Sequence, residues 1–321
     1  MFKYSLKRLL LAIPLLLGIT FITFLFIQLA PGNFLDNLKL NPQINKETIK
    51  IYQEKFFLDK PVVVQYFIWL GNILKFDFGY SFSFQAPVKK VIISRMLNTL
   101  LLSISTIIFS WILVIPLGII CGYFKNKFID RVILFFSYLG ISSPSFFLAF
   151  IFLYFAYITR LFPLGGRTSV YFDQLPYFLK FLDLVKHMIL PVLVLSIARV
   201  SSLIKIFRSN ILETLGSNYI LALKATGISK RRIFYVHILR AAINPMITIF
   251  GYEISSLLSG AALVEIIFGW PGLGQVMLEA VQKQDLYLVM GSVLISGILL
   301  ILGNFIADIL LAFFDPRIRL K

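Results

Sequence analysis

The sequence contains one cysteine and two histidines in 321 residues, and this scarcity excludes several kinds of site. Cys121 alone can form neither an intrachain disulfide nor a cysteine-based metal site. His187 and His237 are far apart in sequence and belong to no H-E-x-x-H motif, so no metal site is predicted. The sequence also lacks a G-x-x-x-x-G-K-[ST] phosphate loop and a G-x-S-x-G nucleophile motif. We therefore predict no catalytic residue, no cofactor and no ATP site within this chain.

Charged residues are scarce as well, at 14% of the chain, whereas 59% of the residues are hydrophobic and the mean hydropathy is +0.87. This composition is typical of a membrane protein and not of a soluble domain. The formal net charge of +16 is spread over the ends of the apolar runs. Membrane topology and anionic lipid headgroups explain that distribution, so no nucleic-acid partner is predicted.

Six apolar runs are long enough to cross a bilayer. They cover residues 9–35, 97–124, 132–159, 188–204, 241–268 and 286–314. We therefore predict an all-α integral membrane protein with six transmembrane helices. Lysine and arginine are concentrated in the segments that face the cytoplasm when the N-terminus is cytoplasmic, so both termini are predicted to be cytoplasmic.

The runs predict four segments. The order is a cytoplasmic N-terminus with the first span (1–30), an extracytoplasmic helical loop (31–96), a transmembrane domain (97–314) and a cytoplasmic tail (315–321). Residues 48–57 and 62–74 of the outer loop have helical amphipathic spacing and predict two short surface helices. These helices either receive a delivery protein or cap the pore, or they simply pack on the bundle, and the pattern does not separate these alternatives.

A basic segment interrupts the apolar pattern between the fourth and fifth spans, at residues 208–243, and is called the basic loop below. Residues 217–226 predict a short helix that Gly227 ends with a positive φ. Ser229 is placed to cap a second helix over residues 230–243, and Asn244 and Pro245 are placed to open the fifth span. A helix lying on anionic lipid would explain the charge, but the helix–glycine–helix construction favours the docking of a partner protein.

Ionisable residues inside the spans face a bundle interior or a watery cavity by default. Glu253 lies about 13 Å into its helix and is the best candidate for a translocation path, with a structural pair to Arg199 as an equal alternative. The predicted path consists of Glu253, Arg199, Ser256 and Gly260. Glu265 and Asp308 lie nearer to span ends and are interpreted as interfacial anchors.

The basic loop resembles the cytoplasmic "EAA" loop of bacterial ABC-importer permeases, with Gly227 at its signature glycine. The glutamate of that motif is absent, because Leu221 stands in its place. Along its whole length the chain resembles the oligopeptide/dipeptide permease family. The matching stretches are residues 6–10, 29–32, 57–62, 64–70, 77–81, 115–118, 142–146, 224–232, 237–240, 264–274 and 315–319.

This resemblance implies the permease subunit of an ATP-driven importer for peptides or similar small solutes in the inner membrane. The implied partners are a homologous second permease subunit, two cytoplasmic ATP-binding subunits, an extracytoplasmic solute-binding protein and membrane lipid. The basic loop would be a coupling-helix hairpin. Its implied ATPase-coupling residues are Leu221, Ala222, Leu223, Lys224, Ala225 and Gly227.

Two other classes remain as alternatives. An ion-coupled secondary transporter would need no docking hairpin and would show broken helices with acidic clusters at the midplane. A structural membrane anchor would need no charged residues within its spans.

Overall fold

The computed structural model describes residues 2–29, 53, 57, 59–255 and 262–314, with the backbone alone for residues 2–9, 251–252, 254–255 and 307–314. The described residues fall into two compact units. The first unit comprises those of 1–99 and 271–301, and the second comprises those of 100–270 and 302–314.

Helices dominate both units. In chain order the elements are α1 (Phe2–Leu29), α2 (Val62–Ile73), β1 (Tyr80–Ser81), β2 (Ala86–Pro87), α3 (Val88–Tyr123), α4 (Phe128–Ser142), α5 (Ser145–Thr159), a 3₁₀ turn (Phe172–Gln174), α6 (Tyr177–Leu215), α7 (Asn218–Ala225), α8 (Lys230–Arg232), a π-helical turn (Ile233–Ile238), α9 (Leu239–Ser255), α10 (Ala262–Ile267), α11 (Leu273–Gln282) and α12 (Leu286–Phe314). The strands β1 and β2 pair antiparallel.

The first unit has a core of aromatic and apolar side chains from α1, α2 and α12. Its buried members are Phe24, Tyr66, Trp69, Met290 and Leu294. The Tyr66 hydroxyl lies 3.0 Å from the Thr20 hydroxyl, which satisfies the polar end of a buried ring. Helix α2 confirms that the predicted segment 62–74 is helical, and the other predicted helix, residues 48–57, falls largely outside the described residues.

A buried aspartate fixes the β-hairpin of the first unit. Asp285 Oδ2 accepts hydrogen bonds from the Ser81 hydroxyl at 2.7 Å and from the Ser83 amide at 2.9 Å. Its Oδ1 accepts from the Leu288 amide at 3.3 Å, so the same side chain also caps α12. The hairpin and the start of α12 are therefore held together by one carboxylate.

In the second unit α4, α5 and α9 all pack against the long helix α6. The apolar run at residues 132–159, predicted as one continuous span, forms two helices of 15 residues each that bend by 105°. The break lies at Ser143, whose backbone is extended with φ −92° and ψ 121°. Pro144 follows it, and a residue before proline is driven out of the helical region by steric clash.

In the described part of the chain five continuous helices are long and apolar enough to cross a membrane, and the bent pair supplies a sixth span only if it is counted as one. The predicted all-α membrane class is confirmed in this form. The prediction that Asn244 and Pro245 begin a new helix is wrong, because Pro245 lies inside α9. Neighbouring groups in membrane bundles can satisfy the backbone that an interior proline frees, so a proline there need not end a helix.

Two glycines bring α3 and α6 into close contact. A Cβ on Gly118 would lie closer than 3.0 Å to the ring of Phe207, and a Cβ on Gly122 would lie 2.5 Å from Ile211 Cγ2. Phe207 and Ile211 are themselves almost completely buried. The spacing of the glycines is that of the small-xxx-small pattern, which lets helices approach closely inside membranes.

Replacing Gly118 by alanine should therefore destabilise the protein by about 1–3 kcal/mol, because the added methyl group overfills a packed contact. The control is Gly18→Ala in α1, where nothing lies within 4 Å of an added Cβ. That change should be neutral or should stabilise by up to about 1 kcal/mol through helix propensity. Unfolding in detergent can be followed by the reaction of the buried Cys121 thiol with a fluorogenic maleimide. Equal stability of the two variants would contradict the close contact.

Candidate functional site

The basic loop forms a short helix, a glycine turn and a second helix, as predicted. Helix α7 ends at Ala225, and Gly227 has a φ of +78°, which is in the left-handed region that favours glycine. Nothing lies within 4 Å of a Cβ built on Gly227, so its backbone angle and not its surroundings requires glycine. The Ser229 hydroxyl accepts a hydrogen bond from the Arg232 amide at 3.4 Å and caps the second helix.

The basic loop packs against the long helices, because side chains of both belong to one hydrophobic core. Ile220 of α7 is completely buried. Its buried partners in the same core include Phe207 and Ile211 of α6, Ile233, Phe234 and Ile238 of the π-helical turn, and Ala242 and Met246 of α9. Helix α7 contacts the π-helical turn, so a displacement of α7 acts on a core that also contains side chains of α6 and α9.

The opposite face of α7 is open. Leu221, Ala222, Lys224 and Ala225 are exposed, as is Gly227 after the helix, and Leu221 keeps 54% of its surface accessible. Leu223 is partly buried and packs against the core instead. The six residues predicted to couple to an ATPase therefore divide into five that face outward and one that faces inward. The outward face carries one positive charge and otherwise small or apolar groups, so it can be approached closely by another surface.

A side-chain hydrogen bond connects α7 to the turn that follows. The Tyr219 hydroxyl lies 2.6 Å from His237 Nδ1. His237 belongs to the π-helical turn, a wider helical form that is often found at functional positions. Both residues lie at the junction between the short helix and the long helix α9.

Arg199 and Glu253 form an ion pair between α6 and α9. Arg199 Nη1 lies 2.7 Å from Glu253 Oε2, and about a fifth of each side chain is exposed, 21% and 20%. The structure thus brings together two of the four residues predicted for a translocation path. The other two, Ser256 and Gly260, lie outside the described residues.

One of the two remaining acidic residues of the spans differs from its interpretation. Glu265 is completely buried, so its interpretation as an interfacial anchor is wrong. The side chain of Asp308 is outside the described part of the chain. Among the described residues no group of three or more His, Cys, Asp or Glu is arranged to hold a metal ion.

A cavity of about 520 Å³ lies between α3, α4 and α6 in the second unit. Apolar side chains form most of its wall, and the polar exceptions are Ser137, Ser143, Ser196 and Ser201. Neither Arg199 nor Glu253 lines it. The cavity therefore offers surroundings that suit a hydrocarbon chain better than a charged solute.

Sequence reasoning missed a second ion pair. Arg208 of α6 donates to Asp130 of α4 through two nearly parallel bonds, Nε to Oδ1 at 2.7 Å and Nη2 to Oδ2 at 2.8 Å. Asp130 is the one acidic residue among Lys125, Lys127 and Arg131, and this lone opposite charge was the signal in the sequence. The anchor residue Ile220 was missed too, since its burial depends on tertiary contacts.

Comparison with known protein families gives a match over most of the chain. Residues 114–320 match the family described as "Binding-protein-dependent transport system inner membrane component", and residues 1–105 match the corresponding N-terminal family. The chain belongs to this family. It is a multi-pass permease component of a binding-protein-dependent transport system, and it is not an enzyme in its own right.

Relatives match this permease from end to end. It is 37% identical over 321 residues to the oligopeptide transport system permease protein AppB of Bacillus subtilis, covering 99% of this chain and 100% of AppB. It is 32% identical over 338 residues to the dipeptide transport system permease protein DppB of Escherichia coli K12, covering 100% of both chains.

A solved structure shares the fold. The methionine ABC transporter MetNI in an inward-facing conformation matches with a TM-score of 0.51, covering 71% of this permease and 97% of the matched chain. The sequence identity is 15%, so this likeness concerns the fold alone.

The ion pair between Arg199 and Glu253 predicts that the two side chains contribute jointly to the stability of the permease. Arg199→Gln and Glu253→Gln should each destabilise the permease, by up to about 3 kcal/mol, because each leaves a partly buried charge without its partner. The double variant should cost less than the sum by about 0.5–3 kcal/mol. Unfolding midpoints of the four proteins in one detergent measure this coupling. Strict additivity would mean that the two side chains do not interact.

Proposed function

We propose that this permease is the membrane subunit of an ATP-driven importer and that the outward face of α7 docks on a cytoplasmic ATP-binding subunit. The observation that supports this most is the construction of the basic loop. Its short helix is open on the face of Leu221, Ala222, Lys224 and Ala225, whereas Ile220 on the other face is built into the core of α6 and α9. A partner that docks on the exposed face of such a helix can displace it, and the buried face then transmits the displacement to the core.

The proposed assembly contains a homologous second permease subunit, two ATP-binding subunits and an extracytoplasmic solute-binding protein. The description of the family supports the last of these, because transport in this family depends on a binding protein. The charge distribution supports an orientation with both termini and the basic loop in the cytoplasm. The binding protein would then act at the opposite membrane face.

The proposed coupling is mechanical. Closure of the ATP-binding subunits would move α7, and its core contacts with Phe207 and Ile211 would tilt α6 together with α9. The permease itself need only expose different affinities for the solute in two states, while the ATP-binding subunits bias which state is populated. Leu223 supports this lever from inside and does not contact the partner.

The proposed solute path runs beside α6 and α9, where Arg199, Glu253, Ser256 and Gly260 are grouped in the sequence prediction. The ion pair places charge of both signs at this position. Peptides and related zwitterions carry both signs as well, and the names of the relatives, oligopeptide and dipeptide permeases, support the same solute class. We therefore propose peptides or similar small solutes. Family membership favours this over the ion-coupled transporter and the structural anchor.

The docking role predicts that the double variant Ala222→Arg/Gly227→Asp abolishes ATP-driven uptake while membrane insertion stays normal. The arginine fills a surface that must be approached closely, and the aspartate adds a negative charge beside that surface. Uptake of labelled peptides into proteoliposomes with the complete complex measures the effect.

The matched control is Ala222→Ser/Gly227→Asn, which keeps one side chain small and replaces aspartate by an uncharged residue of the same shape that also tolerates positive φ. This control should retain most of the uptake. Normal uptake by the arginine–aspartate variant would contradict the docking role.

Lys224→Ala should weaken the association of the ATP-binding subunits less than tenfold, because an exposed ion pair contributes about 0.2–1 kcal/mol. Titration of detergent-solubilised permease with the ATP-binding subunit at two salt concentrations measures this. Complete dissociation of the complex would show that charge, and not shape, dominates docking.

A further inference from the structure

The ion pair of Arg208 and Asp130 lies at the start of the basic loop, in the last two turns of α6. Arg208 is seven residues before Leu215, the last residue of α6, and Asp130 is the third residue of α4. The Asp130 side chain is 1% exposed, and Arg208 keeps 19%. Asp130 Oδ2 also accepts a hydrogen bond from the Asn126 amide at 2.8 Å.

We propose that Arg208 and Asp130 are a positioning pair that makes α4 follow α6 when the basic loop moves. This inference rests on the proposed docking of α7, since it names the connection by which a push on α7 reaches the bent α4–α5 pair. Neither residue contacts the solute in this proposal. Their task is to hold two helices in one mutual orientation.

The geometry of the Arg208–Asp130 pair can fix the orientation of α4 relative to α6, which attraction between two charges alone would not do. Two parallel N–H···O bonds between a planar guanidinium and a carboxylate fix the angle between the groups as well as their distance. A lysine at position 208 would keep the charge but lose the fork. The carboxylate also lies in the first turn of α4, where the helix dipole favours a negative charge.

Stability alone is a weak reason for such a pair. A buried ion pair loses its hydration, and well-packed apolar residues of similar size often replace one without loss of stability. The neighbouring contacts already hold α6 firmly, because Gly118 and Gly122 of α3 allow Phe207 and Ile211 of α6 to pack at close range. The pair therefore adds a fixed orientation of α4 to a helix that other contacts hold in place.

In this proposal α4 and α6 move as one rigid group when α7 moves. Phe207, next to Arg208 in sequence, shares a core with Ile220 of α7. Asp130 is at one end of α4, and the 105° bend to α5 is at the other. A tilt that starts at α7 thus reaches the bend through α6, the ion pair and α4.

The first test compares Arg208→Lys and Asp130→Asn with Arg131→Lys, an exposed neighbour on α4 that serves as the matched control. The complete complex is reconstituted in proteoliposomes, and radiolabelled di-, tri- and penta-alanine serve as probes. The measured quantity is peptide imported per ATP hydrolysed. We expect this ratio to fall at least threefold in both pair variants and to stay unchanged in the control, while ATPase association is retained.

A normal ratio in Arg208→Lys would overturn the proposal. Failure of the ATP-binding subunits to bind even the unaltered permease would instead overturn the proposed function.

The second test needs no solute. Spin labels at Ile141 of α4 and Glu213 of α6, in a Cys121→Ser background that keeps a hydrogen-bond donor beside Asp130, report the distance between the two helices in the complex. We expect one narrow distance distribution in the unaltered pair, the same with and without ATP and vanadate. In Arg208→Lys it should broaden or split when nucleotide is added. An unchanged distribution in Arg208→Lys would show that other contacts alone orient α4, and the proposal would fall.

Discussion

A hydrophobic core joins the basic loop to the long helices α6 and α9. Ile220 from α7 and Ile233 and Phe234 from the π-helical turn are buried against Phe207 and Ile211 of α6. Each such side chain contributes roughly 1.5–3 kcal/mol on full burial from water. Without this burial, α7 would be a surface peptide and not part of the proposed lever.

Different forces hold the helices at different depths. Between helices that are surrounded by lipid the hydrophobic effect gives little net attraction, so close packing and polar contacts matter more. The contacts of Gly118 and Gly122 with α6 are examples of close packing. The ion pairs Arg208–Asp130 and Arg199–Glu253 are polar contacts that join α6 to α4 and to α9, respectively. In the proposed mechanism α6 therefore transmits every movement from the basic loop to the other helices.

The features that the sequence predicted best are local ones. Long apolar runs identified the spans, and Gly227 and Ser229 marked the ends of the two helices of the basic loop, because each effect arises within a few residues. Proline shows the limit of this reasoning. Pro144 follows an extended serine at a sharp break, whereas Pro245 remains inside α9. The burial of Glu265, the inward direction of Leu223 and the pairing of Asp130 with Arg208 likewise depend on tertiary contacts that no local pattern contains.

The central claim is that the outward face of α7 meets an ATP-binding subunit, and site-directed cross-linking in native membranes tests it most directly. A photo-reactive maleimide at Ala222→Cys is selective, because Cys121 is completely buried and is the one other thiol of the chain. The account predicts a product that contains the permease and an ATP-binding subunit, with a yield that changes with nucleotide. Cross-links to phospholipid alone, in every nucleotide state, would contradict it.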